Sequence, residues 1–359
     1  MSIEPELLPD LPAEESGPPA APSRPLDLVA VRDFLTSRMT VRLAFLAFFL
    51  FAVWRLLGFL KWARGEGPYV SRPEAVAGLL PVGHFTSFFA WVKGGGWDAL
   101  LPAGLVIILG AITLSVLFKR GFCGWICPLG TVWEGAAALG RKLLGGRNVR
   151  LPKWLDIAGR SLRYVIAALA LAFLTMVSIE EAVGFRSLPY MWVADLKIIL
   201  GFANPIFVLV FLLTFVVSML LGPVWCRWLC PLGGWYSTLG LASPCAVHRT
   251  KETCISCHKC TNVCHAFVDV ERSTRVNAPE CDGCMDCVKV CPVDGCLEAR
   301  AFGRVRIAPW VWPLLVVGLW LALWGGAKAT GNWDTSVPDE VFRQVIDSGL
   351  LEERTKGGL

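Results

Sequence analysis

The sequence is short of charged residues. Aspartate, glutamate, lysine and arginine make up 18% of its 359 residues, against roughly a quarter in soluble globular domains. Hydrophobic residues make up 55%, and the mean hydropathy is +0.55, so part of the surface requires an apolar solvent. The same composition excludes disorder as the dominant state. The chain has 14 cysteines, too few for a disulfide-stapled miniprotein, so their spacing carries more information than their number.

The first segment lacks the apolar stretch of a signal peptide. Residues 1–38 begin MSIEPELLPDLPAEESGPPAAPSRP and are acidic and rich in proline. This composition does not fit a secretory leader. We expect a disordered cytoplasmic N-terminus, with a recruitment tail as the alternative.

Five apolar stretches approach the roughly 20 residues that cross a bilayer. They are Leu43–Leu60, Ala99–Phe118, Tyr164–Ile179, Ile198–Leu221 and Pro309–Trp324. Within the fourth stretch, Asn204 and Pro205 should kink or break the start of the helix. Shorter apolar patches at Phe85–Val92 and Leu188–Val193 are typical of interfacial or re-entrant pieces.

Lysine and arginine are distributed unevenly between the connections. The connections 119–163 and 227–306 are rich in them, whereas the other two are poor, with Arg64, Arg72 and Lys93 in one and Arg186 in the other. Basic connections face the cytoplasm. We therefore expect both basic segments and the N-terminus inside, and the tail after Trp324 outside, in a multi-pass protein of the bacterial cytoplasmic (inner) membrane.

A nine-residue pattern occurs twice. FCGWICPLG occupies 122–130 and WCRWLCPLG occupies 225–233, each at the cytoplasmic end of an apolar span. Repetition on this scale predicts two similar halves, related by a pseudo-twofold axis along the membrane normal.

The repeat would bring four cysteines together, namely Cys123, Cys127, Cys226 and Cys230. Each pair is spaced i and i+4, which predicts one face of an α-helix, and the proline that follows fits a helix boundary. Four soft ligands suit iron or another thiophilic metal, or a redox site. The alternative is that they are small buried hydrophobic residues.

Two further cysteine runs follow the fourth apolar stretch. One holds Cys254, Cys257, Cys260 and Cys264; the other holds Cys281, Cys284, Cys287 and Cys291, followed by Pro292. This is the spacing of bacterial two-cluster ferredoxins, in which the distant cysteine of each run ligates the other cluster. We expect one [4Fe–4S] cluster on Cys254, Cys257, Cys260 and Cys291, and a second on Cys281, Cys284, Cys287 and Cys264. Metal binding should drive folding of so small a segment.

Other interpretations of these runs are weaker. Cys254 to His258 fits the C-x-x-C-H haem pattern, but haem would leave the second run unexplained and would require the segment outside. Zinc sites also use C-x2-C pairs, whereas two matched runs of four favour iron–sulfur. His265 stands where the pattern has proline, which weakens the match slightly.

Twin Cys-x3-Cys-Pro motifs on membrane helices, followed by two ferredoxin runs, resemble the NapH/NosR/YccM-type membrane-bound polyferredoxins. The resemblance covers about residues 40–325. It includes the quinol dehydrogenase membrane component of periplasmic nitrate reductase and the C-terminal half of the nitrous oxide reduction regulator. It implies electron transfer between a cytoplasmic or quinone-level donor and an extracytoplasmic partner, or a role in maturation of a periplasmic enzyme. The paired motif and the eight ferredoxin cysteines carry it.

Three smaller features remain open. His84, in an aromatic stretch, with Glu180 and Glu181 near the outer membrane edge, could form a quinone site, or could simply lie at the interface. Cys245 and Cys296 have no motif spacing and are expected to be buried thiols. In the tail, an apolar stripe at 341–346 predicts a short amphipathic helix that packs on its own chain or on a partner subunit.

We therefore predict an α-helical integral membrane protein of about five transmembrane helices and an internal two-fold repeat, with an inserted cytoplasmic 2[4Fe–4S] ferredoxin domain. The expected regions are the N-terminus 1–38, membrane repeats 39–145 and 146–245, the ferredoxin domain 246–303, the last helix 304–325 and an extracytoplasmic tail 326–359. The expected partners are membrane lipid, a cytoplasmic donor, the quinone pool and a periplasmic acceptor, and not nucleic acid. Whether the chain is an enzyme stays open: it could be an electron-transfer subunit such as a quinol dehydrogenase component. A maturation factor that supplies reductant, or a membrane redox sensor, is the alternative function.

Overall fold

The computed structural model describes residues 33–79, 81–146, 148–149, 151–349 and 351. The predicted disordered N-terminus covers residues 1–38, and its residues 1–32 lie outside the described part. The described chain is mainly helical. Its α-helices are α1 (Arg38–Ala63), α2 (Pro81–Val92), α3 (Pro102–Leu117), α4 (Pro128–Leu143), α5 (Lys153–Met176), α6 (Ile179–Arg186), α7 (Pro189–Trp192), α8 (Ala194–Leu200), α9 (Pro205–Leu221), α10 (Pro231–Gly240), α11 (Lys259–Val263), α12 (Asp286–Lys289), α13 (Val311–Ala329) and α14 (Asp339–Asp347). Short 3-10 helices occupy Glu74–Leu79 and Gly201–Ala203, and π-helical turns occupy Phe122–Ile126 and Trp225–Leu229.

Three helices of the described chain, α1, α5 and α13, are long and apolar enough to cross a membrane. A fourth span results if α8, the 3-10 turn and α9 count as one, although they bend by 83° at the break. The bend confirms the predicted interruption at Asn204 and Pro205. The remaining apolar stretch forms α3, which has 16 residues. Each predicted span thus contains an apolar helix, and the number five stays a prediction.

The third predicted span begins earlier than its apolar residues suggest. We expected 164–179, but α5 starts at Lys153 and ends at Met176. Its first turns carry Asp156, Arg160 and Arg163, whose side chains are paired with other parts of the protein. Satisfied charges can extend a helix beyond its apolar stretch.

The two Cys-x3-Cys-Pro motifs make equivalent contacts with the rest of the protein. The first π-helical turn packs on α1, and the second packs on α5. Each helix that follows a motif also packs on the other half of the chain: α4 on α9, and α10 on α3. The two motifs are therefore held side by side.

The segment after α10 contains one antiparallel sheet in the order β1-β2-β3, with strands Cys245–Arg249, Leu297–Ala301 and Val305–Ile307. The register pairs Cys245 with Ala301 and Arg249 with Leu297. Its apolar residues share one core with the membrane helices, because Val247, Met285 and Leu297 join Leu114, Trp125 and Trp312. The cysteine-rich segment is therefore packed onto the helices.

The tail helix α14 confirms the predicted amphipathic element. Phe342 and Ile346 are buried against Leu56, Phe59 and Leu196. The hydroxyl of Tyr69 also donates to Asp339 at 2.6 Å. The stripe thus packs on its own chain.

Candidate iron–sulfur and twin-cysteine sites

The first cysteine cavity has a volume of about 340 Å³ and opens toward solvent at the exposed residue Cys257. Its lining includes Cys254, Cys257, Cys260 and Cys291, the first predicted ligand set. The backbone at Ser256 and His258 is left-handed, with φ of 51° and 60°, which turns the chain tightly around the cavity. The distant cysteine of the second run thus lies with the first run.

The second cysteine cavity, of about 370 Å³, lies deeper. Its lining includes Cys264, Cys281, Cys284 and Cys287, the second predicted ligand set. Gly283 has a φ of 67°, and a side chain there would meet the Phe118 carbonyl oxygen and the Trp312 ring at 3.0 Å. Burial raises the pKa of the Cys281 thiol to about 12, so metal binding must displace a firmly held proton there. The cavities group the cysteines as the crossed spacing predicts, while ligation itself stays a prediction.

The spacing of the sulfurs bears on which metal these cavities fit. A single tetrahedral zinc ion, with Zn–S bonds of about 2.3 Å, holds its sulfurs about 4 Å apart. In the part of the chain that the structure describes, no three cysteine sulfurs are grouped within 4.8 Å of one another. Sulfurs that are farther apart than this fit a cluster better than one zinc ion.

The four cysteines of the twin motifs also lie together. Cys226 interacts electrostatically with Cys123, Cys127 and Cys230. The motifs have the same local structure: the amide of Gly130 donates to the sulfur of Cys127, and that of Gly233 to the sulfur of Cys230, both at 3.4 Å.

One prediction about the twin motifs is wrong. We expected each pair on one face of a continuous α-helix. Instead the first cysteine lies in a π-helical turn, and the second, Cys127 or Cys230, is the N-cap of the next helix. The proline that follows begins that helix, as expected, because proline is tolerated where no helical N–H bond is needed. The change of helix type directs the N-cap sulfur to the amides of its own turn.

A third cavity, of about 420 Å³, joins the twin motifs to the second cysteine run. Cys123 and Cys226 line one side, and Glu280, Asp282 and His265 line the other. The backbones also touch: the Trp125 indole N–H donates to the carbonyl of Gly283 at 3.0 Å. A side chain on Gly124 would lie 2.6 Å from the Asp282 carbonyl oxygen. The ligand loop of the predicted second cluster therefore rests on the first motif.

Buried arginines hold this loop. Arg38 of α1 contacts Glu134 at 2.6 Å, Asp282 at 3.1 Å and Asp286 at 3.0 Å, and donates to the Gly124 carbonyl at 3.1 Å. On the other half of the chain, the equivalent contacts join the α5 arginines to Glu280: Arg160 at 3.3 Å and Arg163 at 3.4 Å. We call these contacts the arginine clamp.

The clamp keeps two of its carboxylates, Glu134 and Asp282, ionised. Burial disfavours the charged form of Glu134, but His265, Arg38 and Arg42 outweigh it and lower its pKa to about 2. The pKa of Asp282 is also well below its usual range, since His265 and Arg38 outweigh burial there too. The imidazole Nε2 of His265 lies 2.9 Å from Asp282. The histidine that replaces proline in the first run therefore has a structural partner.

Sequence reasoning missed the clamp. The available signal was the alternation of acids with ligand cysteines in ECDGCMDC, residues 280–287, because such acids need cationic partners when the loop is buried.

The predicted quinone residues are not brought together in one site. His84 is 2% exposed, and its Nε2 contacts the Ala77 carbonyl at 2.5 Å. Glu180 and Glu181 are exposed, and Glu181 forms a capping box with Ser178 at the start of α6. Glu181 thus helps to start α6. A quinone site at these positions stays a prediction.

Two family models match this chain, one over the two motif regions and the other over the cysteine-rich segment. A family model described as a 4Fe-4S binding domain matches residues 100–147 and 203–242, the two motif regions. A model described as a 4Fe-4S dicluster domain matches residues 246–292. No solved structure matches the chain.

Three relatives illustrate the range of similar proteins. YccM of Escherichia coli (strain K12), which is named as an electron transport protein, is 31% identical over 88% of this chain and 91% of its own. The ferredoxin-type protein NapH of the same organism is 29% identical over 54% of this chain and 68% of its own. The regulatory protein NosR of Pseudomonas aeruginosa is 30% identical over 58% of this chain but 29% of its own.

Proposed function

Since this chain belongs to the 4Fe–4S membrane protein family that includes YccM, NapH and NosR, we propose that it is a membrane-bound iron–sulfur electron carrier. In this proposal electrons pass between a cytoplasmic or quinone-level donor and a membrane or periplasmic redox partner. The family and the 4Fe–4S domain matches support an iron–sulfur electron-transfer role.

One observation carries the route of the electrons: the cysteine sites form a continuous row. The exposed first cavity adjoins the buried second cavity, because Cys260 of the first and Cys287 of the second belong to the same buried cluster. The loop of the second cavity in turn rests on the first twin motif through the Trp125 hydrogen bond. Such a row supports electron movement from the solvent-exposed end toward the twin cysteines, or the reverse.

The residues present fit the two proposed clusters. Each cavity offers four thiols in a donor set suited to [4Fe–4S], and a bound cluster supplies one-electron chemistry. The chain itself excludes water from the second site by packing Met285 and Trp312 around it, both of which are fully buried. The arginine clamp holds the ligand loop against the twin motif. The chain therefore fixes the relative position of the sites and their exposure to solvent.

We also propose that the four cysteines of the twin motifs, the twin cysteines, form a further redox or metal site. Their donor set is four thiols, which suits iron or another thiophilic metal. The match of the 4Fe-4S binding domain to both motif regions favours an iron–sulfur group there. The amides of Gly130 and Gly233 already donate to two of these sulfurs, which offsets part of the cost that burial imposes on their thiolate form.

We also propose the arrangement in the membrane. Five spans, with the N-terminus and the cysteine-rich segment in the cytoplasm, place both basic connections on one side of the bacterial inner membrane. The matched contacts of α1 with α4, and of α5 with α10, support two halves related by a pseudo-twofold axis.

Iron and acid-labile sulfide analysis of anaerobically purified protein, with EPR of the reduced form, tests the cofactor proposal. Two clusters require about eight iron atoms per chain, and iron at the twin cysteines adds to that number. Zinc or haem in place of iron would overturn the proposal. Alanine at both Cys123 and Cys226 should remove only the additional iron.

A quinol assay tests the electron donor. Rapid reduction of the clusters by quinol analogues would support a quinone-level donor, whereas reduction only by soluble low-potential donors would support a cytoplasmic one. The regulatory name of NosR gives a second candidate function, redox sensing. A sensor should change the protease sensitivity of α14 when the clusters are reduced.

A further inference from the structure

The first cysteine cavity contains a fifth sulfur. Its lining includes Cys296 beside Cys254, Cys257, Cys260 and Cys291. Cys296 is 3% exposed. Its thiol donates to the Thr250 carbonyl at 3.8 Å, and the sulfurs of Cys254 and Cys291 line the same cavity. Sequence spacing assigned it no role, because it stands five residues after the last cysteine of the run.

The backbone fixes Cys296 at the cavity wall. It lies immediately before β2, where its carbonyl accepts from the Thr250 amide at 2.9 Å and its own amide donates to Val293 at 3.3 Å. Gly295 precedes it with a φ of 74°, a conformation that glycine adopts readily. The paired strands β1 and β2 therefore hold the thiol where it is, independently of the ligand run.

The other cysteine outside the motifs provides a contrast. Cys245 is 6% exposed, but it belongs to the apolar core beneath the sheet and is not among the described residues that line either cysteine cavity. The two thiols are therefore similarly buried, but only Cys296 lies at the wall of the first cysteine cavity.

We propose that Cys296 is a fifth sulfur donor of the first cluster site. When the cluster is bound, its S–H group hydrogen-bonds to a ligand sulfur in place of the Thr250 carbonyl, and when Cys291 is lost Cys296 becomes the replacement ligand. In that replacement the S–H bond of Cys296 breaks and its proton passes to solvent, while a sulfur–iron bond forms without any change in oxidation state. The inference rests on the proposed cluster at Cys254, Cys257, Cys260 and Cys291.

The test uses the full chain, purified anaerobically, as wild type and as the variants C291A, C291A/C296A and C291A/C245A. We expect C291A and C291A/C245A to retain nearly the wild-type iron and sulfide. C291A/C296A should lose one cluster, or about four iron atoms per chain. If C291A loses as much iron as C291A/C296A, or if C291A/C245A does, the inference is overturned.

A second measurement does not depend on ligand replacement. We expect the single variant C296A to keep all its iron but to shift the midpoint potential of one cluster to a more negative value, because hydrogen bonds to cluster sulfurs tune the potential. C245A should leave both potentials unchanged. Identical potentials in the two variants would overturn the hydrogen-bonding role. A wild-type chain without iron at the first site would instead overturn the proposed function itself.

Discussion

At the scale of single residues, Arg38 links more parts of the protein than its sequence position suggests. It lies on α1, yet it pairs with Asp282 and Asp286 of the second cysteine run and with Glu134 of α4. We expect Arg38→Met to lower stability by about 3 kcal/mol, because removal of one partner leaves buried carboxylates uncompensated. Thermal unfolding in detergent, followed by loss of cluster absorbance, measures the change.

A matched control for Arg38 is Arg272, whose partner Asp269 lies 3.4 Å away on the exposed surface. Arg272→Met should change stability by no more than about 0.5 kcal/mol, since surface ion pairs contribute little. Equal melting temperatures for the two variants would contradict a structural role for the clamp.

The residue scale also shows what a sequence can and cannot predict. Cysteine spacing predicted which four of the eight ferredoxin-type thiols line each of the two cavities, because a cluster imposes its geometry on short local loops. The pairing of Arg38 with Asp282 spans 244 positions and follows no periodicity, so no local pattern reveals it. Cys296 was missed for the same reason: β-pairing, not spacing, places it in the cavity.

At the scale of elements, α4 and α9 cross with their backbones in close approach. A side chain on Gly140 would lie 1.7 Å from the carbonyl oxygen of Met219. We expect Gly140→Ala to destabilise the protein by about 3 kcal/mol, because a backbone cannot yield to the added methyl group.

Gly135, on the same helix, has nothing within 4 Å of the equivalent position. Gly135→Ala should instead stabilise by about 0.5 kcal/mol. A smaller loss for Gly140→Ala than for Gly135→Ala would refute the close crossing, and both are measured by thermal unfolding.

The cysteine-rich segment has little regular structure of its own. Between β1 and β2 the regular helices are the short α11 and α12, so bound metal should supply much of its order. Lys251, Lys259 and Arg272 are already exposed, but an ordered backbone resists cleavage. We expect iron chelation to make the chain cleavable by trypsin at these three residues while α1 and α13 stay intact. Mass spectrometry of the fragments identifies the cuts. An unchanged cleavage pattern would mean that packing on the helices suffices to order the segment.

The sequence predicted helices well where the length of an apolar stretch or a proline decides them. It predicted them poorly where the local backbone geometry decides the type of helix. The break at Pro205 and the helix starts at Pro128 and Pro231 follow from the missing N–H of proline. The π-helical turns were missed because an i, i+4 spacing of cysteines was interpreted with α-helical geometry. In a π-helical turn the hydrogen bond runs to i+5, as it does from the Cys127 amide to Phe122.

At the scale of the whole molecule, the halves and the inserted segment depend on one another. The helix after each motif packs on the opposite half, and the clamp anchors the inserted segment to α1 and α5 together. A displacement of either half would therefore alter the distance between the second cysteine cavity and the twin cysteines.

Two reporter fusions, one on each side of α13, test the proposed orientation. One joins a reporter after Leu359, and the other joins it after Gly303, before α13. We expect alkaline phosphatase to be active only at the first site and green fluorescent protein to fluoresce only at the second, because the basic connections hold residues 227–306 inside. Fluorescence at both sites would mean that α13 does not cross the membrane. Reversed signals at both sites would invert the whole protein and place the proposed clusters outside, where a cytoplasmic donor could not reach them.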